Sequence, residues 1–221
     1  MMIRQFLYKL QTRFYKSSVS EKLYRMYARL KIRNKNFTII SNNCWAWSIY
    51  EDLGMAYTTP TIGLYFFMPC YLKFISNLPH YLQTPLSFKR DSIYEEGNMR
   101  LSKNKQFYPV GQLGDIEIHF LHYHTEEEAL AKWKKRVARV NFDNLFIAGS
   151  DIDLCTPQHI QSFNNLPYKN KVFFSAKPYP EFKSVVWLKY YREQPTIGDI
   201  TKYRWPCRKY FDVVNWLNKG K

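Results

Sequence analysis

The sequence predicts an α/β protein, a three-layer α/β/α domain with a mostly parallel sheet, preceded by a basic helical N-terminal arm. Short apolar segments of strand length alternate along the chain with segments whose apolar residues recur every three or four positions, as on a helix. The chain has 221 residues and 46% hydrophobic side chains. Such a length and composition can bury a full core, which excludes an intrinsically disordered polymer.

Six segments suit strands, and helical segments separate most of them. The predicted strands are residues 37–43, 60–67, 115–120, 144–149, 171–176 and 184–190. The predicted helices follow Cys44, Pro69, Thr125 and Thr156, and a last helix closes the tail from Phe211. Residues 82–108 have a weak, charged pattern, and we expect an excursion there with a short strand near 92–94. Strands separated by helices indicate a parallel sheet with both faces covered.

Residues 114–141 are expected to form a strand that runs directly into a helix, which is half of a βαβ unit. Glu117 and His119 alternate with apolar neighbours, at the period of a strand. Thr125, with Glu128 three residues later, is typical of a helix capping box. A junction of this kind is a place where α/β proteins bind their ligands.

The positive charge is concentrated at the two ends of the chain. The net charge is +15, of which residues 1–35 carry +9 and residues 202–221 carry +5, so the body is nearly neutral. We therefore divide the chain into a basic amphipathic helical arm (1–35), an α/β domain (36–200) and a basic C-terminal helix that packs on the domain (201–221).

The basic arm has two interpretations that the sequence leaves open. Ile3, Leu7 and Phe14 recur at helical spacing among basic residues, a pattern typical of a helix that lies on an anionic membrane surface. The same pattern fits an arm that packs on the domain and keeps its basic face in water. Nucleic acid is disfavoured as a partner, because no recognisable nucleic-acid-binding motif accompanies the charge.

The expected location is the cytoplasm, with a peripheral position on the inner face of the cell membrane as the alternative. The uncharged, largely apolar stretch 57–72 contains prolines and a glycine and is too short to span a bilayer. No signal peptide is predicted. The four cysteines stand far apart with no CxxC pair, which argues against a zinc ribbon and indicates a reducing compartment.

Polar residues follow four of the predicted strands. They are Asn42, Asn43 and Cys44; His122 and His124; Asp151, Asp153 and Cys155; and Ser175 and Lys177. The carboxyl ends of parallel strands lie along one edge of a sheet, where a crevice forms. We therefore expect Asn43, His122 and Asp153 to line one cleft.

Asp151 and Asp153 directly follow an apolar strand. Two carboxylates so placed can share Mg²⁺ or Mn²⁺, an ion that neutralises the diphosphate of a nucleotide sugar. Capping of the helix that begins near Pro157 is the alternative for both side chains.

The histidines are candidates for a general base or for substrate contacts. Imidazole titrates near neutrality, so His119, His122 or His124 could serve. A histidine metal site is disfavoured, because His119 and His122 point to opposite faces of a regular strand.

Cys44 and Cys155 could be nucleophiles at helix N-termini, where the helix dipole lowers a thiol pKa, although buried apolar cysteines are commoner. On the helix after Thr125, Arg136 and Arg139 could bind phosphate, against the alternative of a solvated basic face. Trp133 could stack on a sugar ring, against the alternative of core packing.

Four segments together resemble the bacterial exopolysaccharide-biosynthesis family catalogued as domain of unknown function 1919. They are SNNCWAWSIYEDLG, PTIGLYF, YPVGQLGDIEIHFLHYHTEEEALAKWKKRVARVN and NLFIAGSDIDLCT, and the resemblance covers roughly residues 37–190. It implies a three-layer α/β fold and a role in capsule or exopolysaccharide biosynthesis, with no established reaction. The matching positions are Asn42, Asn43, Asp115, His119, His122, Trp133, Arg136, Asp151, Asp153 and Cys155. Ala46 and Trp47 depart from the family pattern, in which small residues including glycine often follow the Asn-Asn-Cys turn.

The leading hypothesis is a transferase that uses an activated sugar at the inner membrane surface and a glycan or lipid-linked acceptor. Asp151 and Asp153 would hold the divalent ion, and His122 would be the base. Arg136 and Arg139 would neutralise phosphate. Two alternatives stay open: a glycan acyltransferase or hydrolase that depends on cysteine and histidine, and a non-catalytic assembly protein docked on the membrane.

Overall fold

The computed structural model describes residues 18–103, 107–201 and 204–220. The strands in this part of the chain are β1 (Thr38–Ser41), β2 (Leu86–Lys89), β3 (Val110–Leu113), β4 (Ile116–His119), β5 (Leu145–Ser150), β6 (Lys171–Ser175) and β7 (Val185–Trp187). The helices are α1 (Ser18–Lys31), α2 (Trp45–Leu53), α3 (Met68–Ser76), α4 (Leu78–Gln83), α5 (Glu95–Lys103), α6 (Glu126–Val137), α7 (Pro157–Asn165), α8 (Arg204–Tyr210) and α9 (Val213–Asn218).

The main sheet is parallel throughout, in the order β1-β5-β6-β7, and it confirms the predicted α/β class. Its strands are apolar on both sides because both faces are covered. Ile39 and Ile40, neighbours on β1, point into two different core clusters. On one face the sheet meets α1, α2, α8 and α9. On the other it meets α3, α4, α6, α7 and a second sheet.

The second sheet is antiparallel, in the order β2-β3-β4. Residues 114–141 are therefore not half of a βαβ unit, and that prediction was wrong. β4 pairs with β3 through a two-residue hairpin in which Gly114 has φ +57°. A period of two shows that a segment is a strand but does not name its partner, which explains the error.

Two further local predictions were wrong. Residues 60–67 are not a strand, although Tyr65 forms an isolated antiparallel bridge with His119. The segment 82–108 contains β2 and α5, while its predicted strand near 92–94 is absent. There the backbone N–H of Ile93 instead binds the buried carboxylate of Glu117 at 2.9 Å.

The described parts of both basic ends pack on the domain. Arg25 of α1 and Arg204 and Arg208 of α8 bind the carboxylate of Asp52, which is almost fully buried on α2. Arg29 donates to the backbone carbonyl of Asp52 at 3.0 Å. Three basic side chains of the two ends are therefore neutralised within the fold, and the C-terminal helices pack on the domain. The first part of the arm, residues 1–17, lies outside the described residues.

None of the helices within residues 18–103, 107–201 and 204–220 combines the length and the apolar character that crossing a bilayer requires.

Candidate functional site

A cleft of about 650 Å³ lies where β1 and β5 end. Small-molecule sites in proteins usually measure roughly 300–1,000 Å³. The walls come from the ends of these two strands, from α5, from segments beside the second sheet and from the loop before α8. The polar lining residues are Asn43, Cys44, Tyr65, Arg100, Lys103, Tyr108, His122, Asp153, Thr196, Asp199 and Thr201.

Asn43, His122 and Asp153 line this one cleft, as the sequence analysis expects. Asn43 and Asp153 reach it from the carboxyl ends of neighbouring parallel strands. His122 arrives by another route, because it follows β4 of the second sheet, and its backbone N–H bonds to the carbonyl of Gly63 at 2.9 Å. Its side chain is exposed at the rim.

Asn42 and Asn43 fasten the end of β1 to the end of β5. The Asn43 amide donates to the hydroxyl of Ser150 at 2.9 Å, and that hydroxyl donates to the Oδ1 atom of Asn42 at 3.1 Å. Asn43 Oδ1 also accepts the backbone N–H of Trp45 at 2.9 Å. Asn42 is buried and does not line the cleft, so its position supports the floor rather than a substrate contact.

Asp153 is the buried carboxylate of the cleft, whereas Asp199 is exposed. The Asp153 side chain is only 8% exposed, and the Arg100 guanidinium lies 2.7 Å from its Oδ1 atom. Burial raises the pKa of Asp153 above its ordinary value, and this effect exceeds the lowering by Arg100. The backbone is strained at this point, since Asp153 and Leu154 both have left-handed φ values, +57° and +64°. The Asp153 carbonyl accepts the N–H of Met68 at 2.8 Å, which holds this turn in place.

Asp151 has a different environment from Asp153 and does not line the cleft. Its carboxylate accepts the N–H groups of Ala176 at 2.7 Å and Ile197 at 2.9 Å, and the hydroxyl of Ser175 at 3.1 Å. The side chain thereby joins the end of β6 to the loop 196–201. Among the described residues, no group of three His, Cys, Asp or Glu side chains is placed to hold a metal ion. Protein donors occupy both carboxylates, so the predicted Mg²⁺ or Mn²⁺ site stays an untested prediction.

The cations of the cleft are Arg100 and Lys103, in the last turn of α5. The Arg100 guanidinium lies 5.1 Å from the ring centre of Tyr65, whose hydroxyl is 3.2 Å from that of Tyr108. Burial raises the pKa of both tyrosines, so both hydroxyls stay protonated at neutral pH. Sequence reasoning missed these residues because α5 is short and mostly polar, with few apolar side chains to mark a buried face. The signal that could have revealed α5 is Glu95 and Glu96 at its start with basic residues at its end.

The loop 196–201 forms a further wall that sequence reasoning also missed. Gly198 has φ +60°, and the Asp199 carboxylate accepts the backbone N–H of Thr201 at 2.9 Å and its hydroxyl at 2.6 Å. These bonds shape a compact turn whose side chains include two threonines in the cleft. The Gly-Asp pair in TIGDIT was the available turn signal.

Arg136 and Arg139 do not line the cleft, and their predicted role in binding phosphate stays an untested prediction. Arg136 donates to the carbonyl of Ile62 at 3.1 Å and to the Tyr123 hydroxyl, and its guanidinium lies 5.5 Å from the ring centre of Tyr57. Arg139 donates to the carbonyl of Tyr57 at 3.4 Å. The two guanidinium groups therefore fasten α6 and the turn that follows it to the segment 57–62.

Trp133 and His124 are also outside the cleft. Trp133 is buried, with its ring centre 6.2 Å from Phe120 and 6.3 Å from Phe74, so core packing replaces the predicted sugar stacking. His124 is exposed, and its backbone N–H bonds to Glu128 at 3.3 Å. The predicted cap of α6 is confirmed on one side, because the Thr125 hydroxyl accepts the Glu128 N–H.

His119 is fully buried behind the cleft wall, where its ring stacks on Tyr65 at 4.6 Å between centres. Its Nε2 atom lies 2.9 Å from the carboxylate of Glu117, which is also fully buried. Lys89 at 2.6 Å and the Ser92 hydroxyl at 2.5 Å complete the polar cluster. Burial alone would raise the pKa of Glu117, but these partners together lower it to about 2. His119 therefore supports Tyr65 and does not contact the cleft directly.

At pH 7, Glu117→Gln is expected to lower the free energy of unfolding by about 2–3 kcal/mol, because charge-assisted bonds to a buried carboxylate are lost. The difference from wild type should shrink as the pH falls from about 4.5 towards 2. In that window the Glu117 carboxylate takes up a proton more readily in the unfolded chain than in the folded one, so the wild type loses the stability that its lowered pKa provides. The variant has no carboxyl to titrate at this position. Urea unfolding at several pH values measures this, and an equal difference at every pH would contradict it.

The predicted lowering of the thiol pKa at Cys44 and Cys155 was wrong. Cys44 is the N-cap residue of α2, but burial raises its pKa to about 11. Cys155 precedes Thr156, which is the actual N-cap of α7, and burial raises the pKa of Cys155 to about 12. Neither thiol is poised as a thiolate at neutral pH, which disfavours the hypothesis of a cysteine-dependent acyltransferase or hydrolase.

A mild thiol reagent at pH 7 is expected to label Cys44 about 10²-fold more slowly than an unperturbed cysteine, because the thiolate is the reactive form. Mass spectrometry of the native protein over time measures the rate at each cysteine. Rapid labelling of Cys44 or Cys155, with loss of function on substitution by serine, would contradict the assignment.

The residues of the cleft and of both packed ends fall within one family match. Residues 15–218 match the family model described as "Domain of unknown function (DUF1919)". The chain belongs to the DUF1919 family. A protein of Haemophilus influenzae described as an "Uncharacterized protein" is 41% identical over 192 residues, which cover 85% of this chain and 87% of that protein.

The extent of the DUF1919 match corrects one boundary. The resemblance found in the sequence covers roughly residues 37–190, but the family match also includes α1, α8 and α9. The ion pairs of Asp52 join α1 and α8 to α2, so these two helices pack as part of the domain.

Proposed function

We propose that this protein is a transferase of surface-polysaccharide assembly that binds a phosphate-activated sugar in the cleft. One observation carries the proposal. Asp153, a buried carboxylate with a raised pKa, faces Arg100 in a cleft at the carboxyl ends of parallel strands. A perturbed carboxylate beside cations in a concave site is typical of catalytic sites.

The charges of the cleft suit a ligand with both phosphate and hydroxyl groups. Arg100 and Lys103 supply two cations from the same turn of α5. A guanidinium binds phosphate in the same way as it binds a carboxylate. Asn43, Thr196 and Thr201 offer amide and hydroxyl groups for a sugar. Substrate phosphate would draw Arg100 away from Asp153 and leave this carboxylate available to the acceptor.

In the proposed step, an acceptor hydroxyl attacks the anomeric carbon of the donor sugar. The new carbon–oxygen bond forms as the bond to phosphate breaks, and the nucleotide diphosphate leaves with the electron pair. Asp153 takes the proton of the acceptor, which its raised pKa favours. Arg100 and Lys103 neutralise the charge on the leaving group. His122 is exposed at the rim, where its side chain would contact the acceptor.

The setting of the reaction comes from the resemblance to exopolysaccharide-biosynthesis proteins. It suggests a glycan or a lipid-linked acceptor and a cytoplasmic site at the inner face of the cell membrane. Sugar nucleotides are made in the cytoplasm, and a lipid-linked acceptor would have to be met at that face.

A panel of nucleotide sugars tests the proposal. The purified chain is incubated with each donor and a lipid-linked or glycan acceptor in Mg²⁺, in Mn²⁺ and in EDTA, and released nucleotide is quantified. We expect release from at least one donor, retained in EDTA because protein cations perform the neutralisation. Loss of release in EDTA would favour the divalent ion that the sequence predicts. The absence of release and of binding for every donor would contradict the proposal and favour a non-catalytic assembly role.

A further inference from the structure

The outer face of α1 is apolar and exposed. Ala28 is buried against the domain, whereas Leu30 is 78% exposed, Val19 58% and Met26 57%. Leu23 and Tyr27 are about half-exposed as well. Five of the ten large apolar side chains that are exposed in the described part of the chain lie on this one helix. Single exposed apolar residues are ordinary, but a contiguous set marks an interaction surface.

The spacing shows that this set forms one stripe. The residues are Val19, Leu23, Met26, Tyr27 and Leu30, which recur at intervals of four, three, one and three. At 3.6 residues per turn they occupy an arc of roughly 100°, on the side of the helix opposite to Ala28. The packing of α1 on α2 does not use this stripe, since Arg25 and Arg29 make the contacts on the inner face. The packing of α1 on the domain therefore leaves most of this stripe exposed.

The charges beside the stripe are positive. Lys22 and Lys31 are exposed on its two flanks, and Arg33 and Lys35 follow the end of the helix. Glu21, the acidic residue of α1, lies on the packed side, 3.6 Å from Arg208. The inner face of α1 is thus neutralised by acids of the domain, while the outer face combines apolar side chains with cations.

We propose that the outer face of α1 docks on an anionic lipid surface. The stripe would lie in the plane of the interface, with its aliphatic side chains at the boundary between headgroups and acyl chains. Lys22 and Lys31 would meet anionic headgroups, and Tyr27 at the margin suits the polar edge of that boundary. The inference deepens the proposed function by naming its membrane contact, and it rests on that function only for its cellular setting.

Co-sedimentation of the full chain with vesicles tests the docking. Vesicles of phosphatidylcholine with about 30% phosphatidylserine are compared with vesicles of phosphatidylcholine alone, at low and at high salt. We expect binding to the anionic vesicles that weakens as salt rises, since exposed charges are screened. Leu23→Asp is expected to weaken binding about tenfold or more, because it removes an inserted side chain and adds a repelled charge.

Phe142→Asp is the matched control, because Phe142 and Leu23 are both 48% exposed and the charge change is the same. It should leave vesicle binding within about twofold of wild type. Equal loss in both variants, or binding unchanged by Leu23→Asp, would overturn the proposal. A dimer in lipid-free solution that Leu23→Asp dissociates would also overturn it, by assigning the stripe to a second copy. Asp153→Asn should bind vesicles normally, so that failure of the cleft and failure of the docking face are distinguished.

Discussion

Asp153→Asn is expected to reduce turnover of the activated sugar by about 10²–10⁴-fold, the usual contribution of a positioned general base. Asparagine keeps the shape and hydrogen-bonding capacity of the side chain, and it tolerates the left-handed φ of +57° at this position. The loss should appear mainly in kcat, because the carboxylate acts on the acceptor proton in the transition state. Steady-state kinetics with a donor identified in the panel measures it.

The same substitution should not destabilise the fold. Burial raises the pKa of Asp153 in the folded state, so the wild-type carboxylate costs stability as the pH rises through and above its unfolded value. The loss of the Arg100 contact offsets part of this gain, but Arg100 is 44% exposed and can be solvated. We expect an unchanged or higher Tm at pH 7. A lower Tm together with lower activity would make Asp153 a structural residue, and Asp143→Asn, outside the cleft, should change neither.

Asp52→Ala is expected to lower the free energy of unfolding by about 3–5 kcal/mol, the usual cost of removing one partner from a buried ionic cluster. The Asp52 side chain is 3% exposed and accepts bonds from Arg25 at 3.1 Å, Arg204 at 3.1 Å and Arg208 at 2.7 Å. Without it, these guanidinium groups repel one another where α1 and α8 meet α2. Urea unfolding measures the loss, and hydrogen exchange should show α1 and α8 opening first.

Glu51→Ala is the control for this prediction. Glu51 binds Arg25 and Arg204 as well, but its side chain is 36% exposed, so water screens its charge. Its removal should cost about 1 kcal/mol or less. Equal effects of the two substitutions would show that the number of ion pairs, rather than burial of Asp52, determines how firmly the ends are held.

The parallel sheet and several helix starts were predictable, because their signals are local. The apolar runs of β1, β5 and β6 reflect strands covered on both faces. Thr156 and Pro157 begin α7, where the Thr156 hydroxyl accepts the N–H of His159. Parallel pairing places the carboxyl ends of these strands at one edge of the sheet, which is why Asn43 and Asp153 could be assigned to one cleft in advance.

The remainder of the cleft depends on contacts between distant segments. Nothing near Arg136 in the sequence reveals that its guanidinium donates to the carbonyl of Ile62. The sequence therefore does not distinguish an arginine that is free to bind a ligand from one that holds the fold together. Arg100, by contrast, lies in a weakly patterned segment, and only the fold brings it to Asp153. Trp133 shows the same limit, because an aromatic residue at helical spacing suits both a core and a sugar platform.

The central claim is that the cleft binds an activated sugar through Arg100 and Lys103, rather than through Arg136 and Arg139. A binding experiment that distinguishes these two pairs of cations tests it most directly. The ¹⁵N-labelled protein is titrated with a nucleotide sugar that it binds, and amide chemical shifts are followed. We expect saturable shifts at Cys44, Asp153 and Gly198, with affinity reduced about tenfold or more by Arg100→Ala and unchanged by Arg139→Ala. Shifts that cluster along α6, or affinity that depends on Arg139 and not on Arg100, would contradict it.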